Sequence, residues 1–593
     1  MRKQTKVVAV ASAAALLAIG GAMTSFAAQG WVEEDGTWYY YDKDGNRVED
    51  EWKKSGDNWF WLDSEEGGAM ATDKLVDDDG DTYYVDGNGV MVTNTWVKVV
   101  NEDQDDDDDP AEYHYYYMQK SGKAYKASDN STGTKFKTID GKKYAFDDDG
   151  KMLYGWVTED GELATGDDGW KEAKYYCGSW EDGSMKTGWQ KITVYDDENG
   201  KDDDYDYWFN FKSNGEKRGW KDGAGKENWK NNGKYYSFDG RGVMIYQWAL
   251  TSGSTTTSVS NWRYYNSPED GARQTKGWFK VVAASSDNDN TFDEDQTTSF
   301  AQTHANDESE KWYYAGDKGV LYEGIIKNIK GKYYAFWPED DGAGKGGAML
   351  TGLCILQMEK DSQGNITDKI AKVIDDDIDS DKLDDILDGN YDGERDWDDD
   401  VRLYYFGNNE DTDGAMKTGN VNISLDGSSY SFQFQKTGTA KSGRGMGVTG
   451  IDDDKYVYMY GCRVKADSDD KYQLVRVYNT DADSDNVKIN AKGVKVEKVD
   501  APSFSDMYTN KDDENVSYAV LSDDGLRLVN VSGNLQKSKS GVKDGNDCYY
   551  YVNKHYVPQL YTDNKTIKTK SNAHPSYDKW EDIVAGATTT DAE

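Results

Sequence analysis

The sequence is poor in the residues on which catalysis and covalent cross-linking usually depend. Its 593 residues include only 4 histidines, 4 cysteines and 6 prolines. The cysteines follow no metal-binding spacing; they are Cys177, Cys354, Cys462 and Cys548. A disulfide such as Cys462 to Cys548 and buried free thiols both remain open. No HExxH or comparable motif surrounds His555 or His574, so we predict no catalytic residues, no metal site and no cofactor.

Positive charge is also scarce. The chain has 69 Lys and Arg against 111 Asp and Glu, a net charge of −42, and loss of Arg2, Lys3 and Lys6 with an export signal would give −42 − 3 = −45. Binding of nucleic acid requires cationic side chains to neutralise phosphates. A nucleic-acid partner is therefore excluded and an anionic membrane is disfavoured, whereas a cationic or neutral ligand fits the charge.

Long apolar runs are absent after the N-terminus. Residues 1–28 are typical of a signal peptide, with three basic residues, an apolar stretch from Val7 to Ala22 and small residues before a cleavage point after Ala27 or Ala28. No later segment approaches the roughly 20 apolar residues that a membrane span needs, and residues 583–593 lack a sorting motif. We expect a secreted protein that is held at the cell wall or cell surface by binding.

What the sequence has in abundance is one repeated unit of about twenty residues. In its clearest copy, from Trp31 to Trp52, the separation is 52 − 31 = 21 residues. Asp35-Gly36 and Asp44-Gly45-Asn46 are typical of tight turns, and the aromatic run Thr37 to Tyr41 favours a strand. A fixed period of this length predicts an all-β solenoid of tandem β-hairpins.

A second element, Gly-x-Met, marks the same period. It uses seven of the 14 methionines: Met70, Met91, Met152, Met185, Met244, Met349 and Met416. Several copies continue into Gly-Trp, as at Trp156 and Trp189. Methionine is therefore placed by the repeat and not by chance.

Together these motifs resemble the choline-binding and cell-wall-binding repeats of Gram-positive surface proteins, and glucan-binding and clostridial toxin repeats are similar. The resemblance covers roughly residues 29–450. It implies ligand cages between consecutive hairpins, built from a strand aromatic, a Gly-Trp residue of a neighbouring repeat and a methionine. Carried onto this chain, the ligand-binding residues are Trp38, Tyr40, Trp52, Trp59, Trp61, Met70, Tyr84, Met91, Trp96, Met152, Trp156, Trp189, Trp312 and Tyr314.

Two kinds of ligand fit such residues. Aromatic faces attract a quaternary ammonium through cation–π interactions of ~0.5–2 kcal/mol per ring, whereas a sugar would stack on Trp and bond to Asp or Asn. The alternative for each aromatic is a place in the core. Leu75, Ile325 and Ala145 replace aromatics of the repeat, so we expect those cages to be broken.

Acidic runs interrupt the repeats at one recurring point, between the strand after Trp and the aromatic strand. We expect these insertions to extend hairpin tips, and Ile366 to Leu387 has a spacing that weakly favours a short helix. Clustered Asp at Asp147 to Asp149 suggests calcium or, more simply, a turn. The predicted organisation is repeats at 29–282, an acidic insertion at 283–310, repeats at 311–356, an acidic insertion at 357–400, repeats at 401–450, degenerate repeats or a separate β domain at 451–575, and a disordered tail at 576–593.

From these features we predict a secreted, noncatalytic surface protein that binds cell-wall polymer through aromatic cages. Choline-bearing teichoic acid, a glucan and peptidoglycan all remain open as ligands. The alternatives are a structural or adhesive surface protein without a small ligand and, further off, a wall-degrading enzyme.

Overall fold

A computed structural model describes most of the chain between residues 29 and 565. The described residues are 29–102, 104, 110–127, 133–198, 201–219, 227–251, 258–285, 290–292, 309–339, 345–391, 400–481, 484–503, 507–509, 517–521 and 525–565. The predicted signal peptide, most of the acidic run at 103–109 and the predicted tail at 576–593 lie outside them.

The described chain is almost entirely β-structure. Its strands are Gly30–Glu34, Thr37–Tyr41, Glu51–Ser55, Asn58–Asp63, Ala69–Met70, Lys74–Asp78, Asp81–Val85, Thr95–Val100, Tyr113–Met118, Lys137–Ile139, Lys142–Tyr144, Trp156–Val157, Tyr175–Tyr176, Gly188–Asp196, Asp203–Phe211, Glu227–Asn231, Lys234–Phe238, Gln247–Leu250, Trp262–Tyr265, Gly277–Val282, Glu310–Ala315, Ile325–Ile329, Lys332–Phe336, Leu353–Lys360, Ile366–Asp375, Val401–Tyr405, Gly419–Leu425, Ser428–Phe434, Gly450–Asp452, Tyr456–Met459, Cys462–Arg463, Tyr472–Asn479, Val494–Val499, Tyr508–Thr509, Ser517–Val520, Leu526–Asn530, Lys539–Lys543, Tyr549–Val552 and Pro558–Thr562. Short helices span Gly169–Glu172 and Ser380–Asp388, with 3₁₀ turns at Ser64–Glu66 and Val259–Asn261. The prediction of tandem β-hairpins is confirmed.

Two compact units divide the chain. The first contains residues 1–253, 264–273 and 292–295, and the second contains residues 254–263, 274–291 and 296–593. Neither helix of the described residues is long and apolar enough to cross a membrane.

Turn chemistry explains why the short hairpins form where they do. Asp35 and Gly36 both have positive φ, +50° and +87°, as do Asp140 with Gly141. Two successive positive φ angles define the type I′ turn, whose twist matches that of paired strands. In the neighbouring loop the Asp42 carboxylate accepts the backbone N–H groups of Asp44 and Asn46, which closes the second predicted turn.

The predicted position of the insertions is confirmed by strand pairing. Thr95–Val100 pairs with Tyr113–Met118, and Gly188–Asp196 pairs with Asp203–Phe211, so each acidic run leaves from a hairpin tip. The insertion after Gly277–Val282 is not wholly solvated, because Phe292 is buried and its ring lies 5.1 Å from that of Tyr246.

The insertion at 357–400 is more ordered than the acidic composition suggests. Ile366–Asp375 is a strand that pairs with Leu353–Lys360, and the helix begins only at Ser380. The expected helix from Ile366 is therefore wrong for its first half, because Ile366, Ile370 and Val373 are buried in a sheet core that a helix would not complete. Asp379 caps the helix by accepting the N–H of Lys382.

Strands Gly30–Glu34 to Ala69–Met70 form one five-stranded sheet, the sheets that follow have two strands, and from Ile325 onwards the sheets have three or five. Phe432 pairs with Cys462, so the predicted boundary at residue 450 falls inside one five-stranded sheet. Tyr456–Met459 and Tyr472–Asn479 do not pair with one another, since Tyr472–Asn479 pairs with Val494–Val499 and Leu526–Asn530. All four cysteines are free and buried.

Candidate functional site: aromatic junctions between hairpins

Several repeats place their tryptophan opposite an aromatic of the same hairpin. Trp31 lies opposite Tyr40 and Trp52 lies opposite Trp61, with ring centroids 5.4 Å and 5.3 Å apart. Neighbouring strands place such cross-strand side chains in contact. This pair forms the first half of what we call an aromatic junction.

The next hairpin along the chain supplies the second half. Phe60 lies 5.3 Å from Trp31, Tyr83 lies 5.1 Å from Trp52, and Tyr144 lies 4.8 Å from Trp96, between ring centroids. All three occupy the position of Tyr39, which is on the opposite strand face from Tyr40. A junction is therefore built from one face of a hairpin and the other face of its successor, a pairing that the sequence prediction missed.

A backbone hydrogen bond holds each junction together. The N–H of Met91 donates to the Trp59 carbonyl at 2.9 Å, and the N–H of Met244 donates to the Trp208 carbonyl at 2.8 Å. The residue at the methionine position thus binds the preceding hairpin at the strand that carries the junction aromatic. The same bond recurs from Met152, Met185, Lys217, Met349 and Met416.

The methionine side chains also contact the glycine of the following repeat. A Cβ on Gly89 would lie 2.8 Å from Met70 Cε, and one on Gly183 would lie 2.2 Å from the Met152 thioether. A side chain at either position would displace the methionine, and the positive φ of Gly89 and Gly183, +77° and +59°, further favours glycine there. Met70, Met91 and Met152 are therefore structural contacts between repeats, a role that the cage prediction did not include.

The fourteen predicted ligand-binding residues differ widely in exposure. Trp61 and Met152 are buried, and Trp59 is 40% exposed. The half-buried residues are Trp38, Tyr40, Trp52, Met70, Tyr84, Met91, Trp96, Trp156, Trp189, Trp312 and Tyr314.

The structure groups these residues differently from the predicted cages. Tyr40 belongs with Trp31 and not with Trp52. Met152 packs with Tyr144, Phe146 and Trp96, so it completes the Trp96 junction and not a site at Trp156. The shift by one repeat arises because the methionine follows the second hairpin of the junction that it closes.

Two positions where the repeat loses its aromatic are filled by aliphatic packing. Leu75 lies opposite Tyr84, and both pack against a cluster that contains Tyr116 and Met118. At the second position, the strand register places Ile326 where other repeats have tryptophan, opposite Ala335. The sequence prediction had named Ile325, which is one residue earlier.

The Trp52 junction has the features of a cation site. Trp52, Trp61 and Tyr83 surround it, and the Trp52 indole Nε1 donates to the Asp78 carboxylate at 3.2 Å. Within the described part of the chain, no lysine or arginine lies over the face of these three rings, although Lys123, which pairs with Asp81, contacts the Tyr83 hydroxyl. A carboxylate beside aromatic faces favours a positive ligand.

The Trp156 junction already contains a cation of the chain. Lys217 is fully buried, its Nζ lies 5.2 Å from the Trp156 ring centroid, and it donates to the Trp170 carbonyl at 2.6 Å. Lys217 stands at the methionine position, since Gly215-Glu216-Lys217 replaces Gly-x-Met. Burial lowers the pKa of its ammonium to about 7, against partial compensation by Asp239.

Further junctions form around Trp189 in the first unit and Trp278 in the second. The ring centroids of Tyr236 and Trp189 lie 5.1 Å apart. The Cζ atom of Arg218 lies 4.2 Å from the ring centroid of the neighbouring Trp229. Tyr314 lies 5.1 Å and Tyr334 lies 4.8 Å from Trp278. The predicted residues Trp189 and Tyr314 therefore do belong to junctions, whereas Trp278 was missed.

The acidic cluster at Asp147, Asp148 and Asp149 brings three carboxylates within 4.8 Å of one another. The Asp147 carboxylate accepts the Lys151 N–H at 2.7 Å and so serves the turn. Burial raises the pKa of Asp147 to about 6.

Comparison with known proteins gave structural neighbours but no family model and no curated protein that matches the sequence. The modular autolysin LytC of Streptococcus pneumoniae aligns over 52% of this chain at 18% identity and a TM-score of 0.27, and this chain spans about half, 51%, of its length. CbpJ of S. pneumoniae aligns over 58% of this chain and 98% of its own at 17% identity and a TM-score of 0.31. The choline-binding domain of S. pneumoniae CbpL aligns over 42% of this chain and 97% of its own length, at 22% identity and a TM-score of 0.25. Parts of the chain are thus similar to these three proteins.

Proposed function

We propose that this protein is a secreted, noncatalytic surface protein that binds choline-bearing cell-wall polymer at its open aromatic junctions. The observation that carries the proposal is the Trp52 junction. Three rings from two consecutive hairpins meet there beside the Asp78 carboxylate. The site has the chemistry of a receptor for a compact cation.

A quaternary ammonium suits this site better than an ordinary ammonium. It has no N–H to donate, so it loses less on leaving water and gains from each aromatic face, at ~0.5–2 kcal/mol per ring. The net charge of −42 adds a favourable long-range field for a positive ligand. A wall polymer presents many such groups, so weak junctions act together through avidity.

The noncatalytic part of the proposal is supported by the sequence. Repeat motifs account for most of residues 29–450, and His555 stands in no recognised catalytic motif. Secretion is supported by the signal-like residues 1–28.

A structural or adhesive role is the second candidate, and one observation favours it. Lys217 fills the Trp156 junction from within the chain. A protein whose junctions were all filled in this way would use its aromatics for stacking alone. The two candidates therefore differ in the state of the other junctions.

Wall binding with competitive elution tests the proposal. The full-length secreted protein is bound to purified cell walls and eluted separately with choline and with soluble glucan or muropeptides. We expect elution by choline, and reduced retention for Trp52→Ala, with Tyr39→Ala as the matched control because Tyr39 lies on the other face of a neighbouring hairpin. Elution by a glycan and not by choline would show that the ligand is a glycan. If Trp52→Ala is retained on the walls as fully as the unmodified protein and is eluted by the same choline concentration, the Trp52 junction is not a binding site.

A further inference from the structure

Four hairpins carry a lysine two residues after the junction tryptophan. Strand register places each lysine directly opposite an aromatic of the partner strand. The pairs are Lys54 with Trp59, Lys98 with Tyr115, Lys191 with Trp208, and Lys280 with Trp312. In three of them an ammonium and an indole N–H therefore lie side by side on the face that also carries the junction.

Two of these pairs hold a carboxylate of the chain. The Glu269 carboxylate lies 2.9 Å from Lys191 Nζ and accepts Trp208 Nε1 at 3.0 Å. The Asp411 carboxylate lies 2.8 Å from Lys280 Nζ and accepts Trp312 Nε1 at 3.0 Å. The first set lies in one compact unit and the second in the other, so the same arrangement, which we call an anion clamp, occurs twice.

The pair Lys54 and Trp59 has the same register but no such carboxylate. Trp59 is 40% exposed, Lys54 is exposed, and Lys54 Nζ lies 5.8 Å from the Trp59 ring centroid. Among the described residues, none forms a hydrogen bond or ion pair with either side chain. The Lys98 pair differs again, because the Trp180 ring lies 6.3 Å from Tyr115.

The loop that would supply the carboxylate carries the opposite charge. Glu269 stands two residues before Gly271, in the loop that follows the second hairpin after its clamp. In the corresponding loop for Trp59, Lys120 stands two residues before Gly122. The position that closes one clamp with an acid is thus basic in the other, which favours an anion from outside the chain.

We propose that Lys54 and Trp59 form an open anion clamp for a carboxylate or phosphate group of an external polymer. Lys54 supplies the charge and the Trp59 indole supplies a directed N–H donor, as Lys191 and Trp208 do for Glu269. The cross-strand pair of Trp52 and Trp61 lies on the same face of this hairpin. It is two residues along the strands from Lys54 and Trp59, a distance of about 7 Å. A ligand with neighbouring positive and negative groups would span both, although the clamp requires no binding of a cation.

Titration of the indole N–H resonances tests this proposal on the full secreted chain. With ¹⁵N-tryptophan labelling, the Trp59 resonance is assigned from Trp59→Phe and followed during addition of glycerol phosphate, of acetate and of neutral glycerol. We expect glycerol phosphate or acetate to shift it and glycerol not to, and the two anions distinguish phosphate from carboxylate recognition. Lys54→Gln should weaken this response by roughly fivefold, as for loss of an exposed ion pair, and Lys54→Arg should retain it.

Matched variants at the closed clamp sharpen the test. Lys191→Gln should leave the Trp59 response unchanged, whereas Glu269→Gln should make the Trp208 resonance newly sensitive to the same anions. A Trp59 resonance that ignores both anions, moves equally with glycerol, or responds fully in Lys54→Gln would overturn the proposal. Choline is titrated separately and read at Trp52, so loss of the clamp and failure of the proposed cation site give different results.

Discussion

The Trp52 and Trp156 junctions have the same construction but different contents. Both place a tryptophan opposite an aromatic of its own hairpin, with further rings from the next hairpin. At the methionine position that joins the two hairpins, the first has Met91 and the second has Lys217. One substitution in a small motif thus separates the Trp52 junction, which we propose binds a ligand, from one filled by Lys217.

The aromatic pattern alone therefore does not identify a binding site in this repeat. Buried lysine is costly unless its charge is compensated, and here the carbonyl of Trp170, two aromatic faces and Asp239 offset only part of that cost, because the pKa of Lys217 is still lowered to about 7. The remaining junctions should be judged by what occupies the methionine position and by which cations lie over the rings.

The largest effect should come from removing the aromatic face beneath Lys217. Trp156→Ala leaves a buried ammonium over a cavity, and we expect a loss of ~3–5 kcal/mol in the free energy of unfolding, as for large-to-small core changes. Urea denaturation measures it. Trp52→Ala is the matched control and should cost less, because no buried charge depends on Trp52. Equal losses of stability would show that Lys217 does not depend on the Trp156 ring.

The next effect concerns pH. Burial lowers the folded-state pKa of Lys217 to about 7 from an ordinary value of 10.5, so between these limits the unfolded state binds more protons than the folded state. Stability relative to Lys217→Met should therefore rise with pH across that window, by up to ~1.4 kcal/mol per pH unit, and stay level below pH 7. Denaturation of both proteins at pH 6, 8 and 9.5 measures the difference, and parallel curves would contradict a buried titrating lysine.

A smaller effect is expected on ligand binding. Trp52→Ala should weaken choline binding by about 1 kcal/mol, within the range for one aromatic face. Isothermal titration calorimetry with choline measures this, with Trp156→Ala as the comparison if it remains folded and otherwise Trp156→Phe. If both junctions contribute equally to choline binding, Lys217 does not block the second.

The smallest effect should follow deletion of residues 103–109. The strands on either side, Thr95–Val100 and Tyr113–Met118, are paired in register, and we expect that pairing to persist with a shorter tip. Loop closure changes by only ~0.6 kcal/mol per halving of length. Thermal unfolding should remain cooperative, and loss of the transition would show that the acidic run belongs to the core.

Local chemistry made much of the fold predictable. Asp-Gly pairs located the type I′ turns, aromatic runs located strands, and the fixed period located the insertions at hairpin tips. Each of these features depends on a few residues that are close in sequence. Ile366–Asp375 was harder, because its apolar spacing suits a helix as well as a strand and only pairing with Leu353–Lys360 decides between them.

The composition of the junctions was less predictable. Alternation assigns Tyr40 to one strand face and Tyr39 to the other, but it does not say which face meets the next hairpin. Phe60, Tyr83 and Tyr144 were missed for this reason. Lys217 did have a sequence signal, since it interrupts Gly-x-Met, but its meaning depends on contact with a tryptophan 61 residues earlier, 217 − 156 = 61.

The hydrogen bond from each methionine position to the preceding hairpin has a consequence for how such a chain can change in length. Gain or loss of one whole repeat keeps every donor opposite an acceptor, whereas gain or loss of part of a repeat separates the Met91 N–H from the Trp59 carbonyl and its counterparts. Each added hairpin completes one junction and begins another. Each duplication of a repeat therefore adds one complete junction. A single substitution at the methionine position, as at Lys217, is enough to fill the added junction with a side chain of the protein.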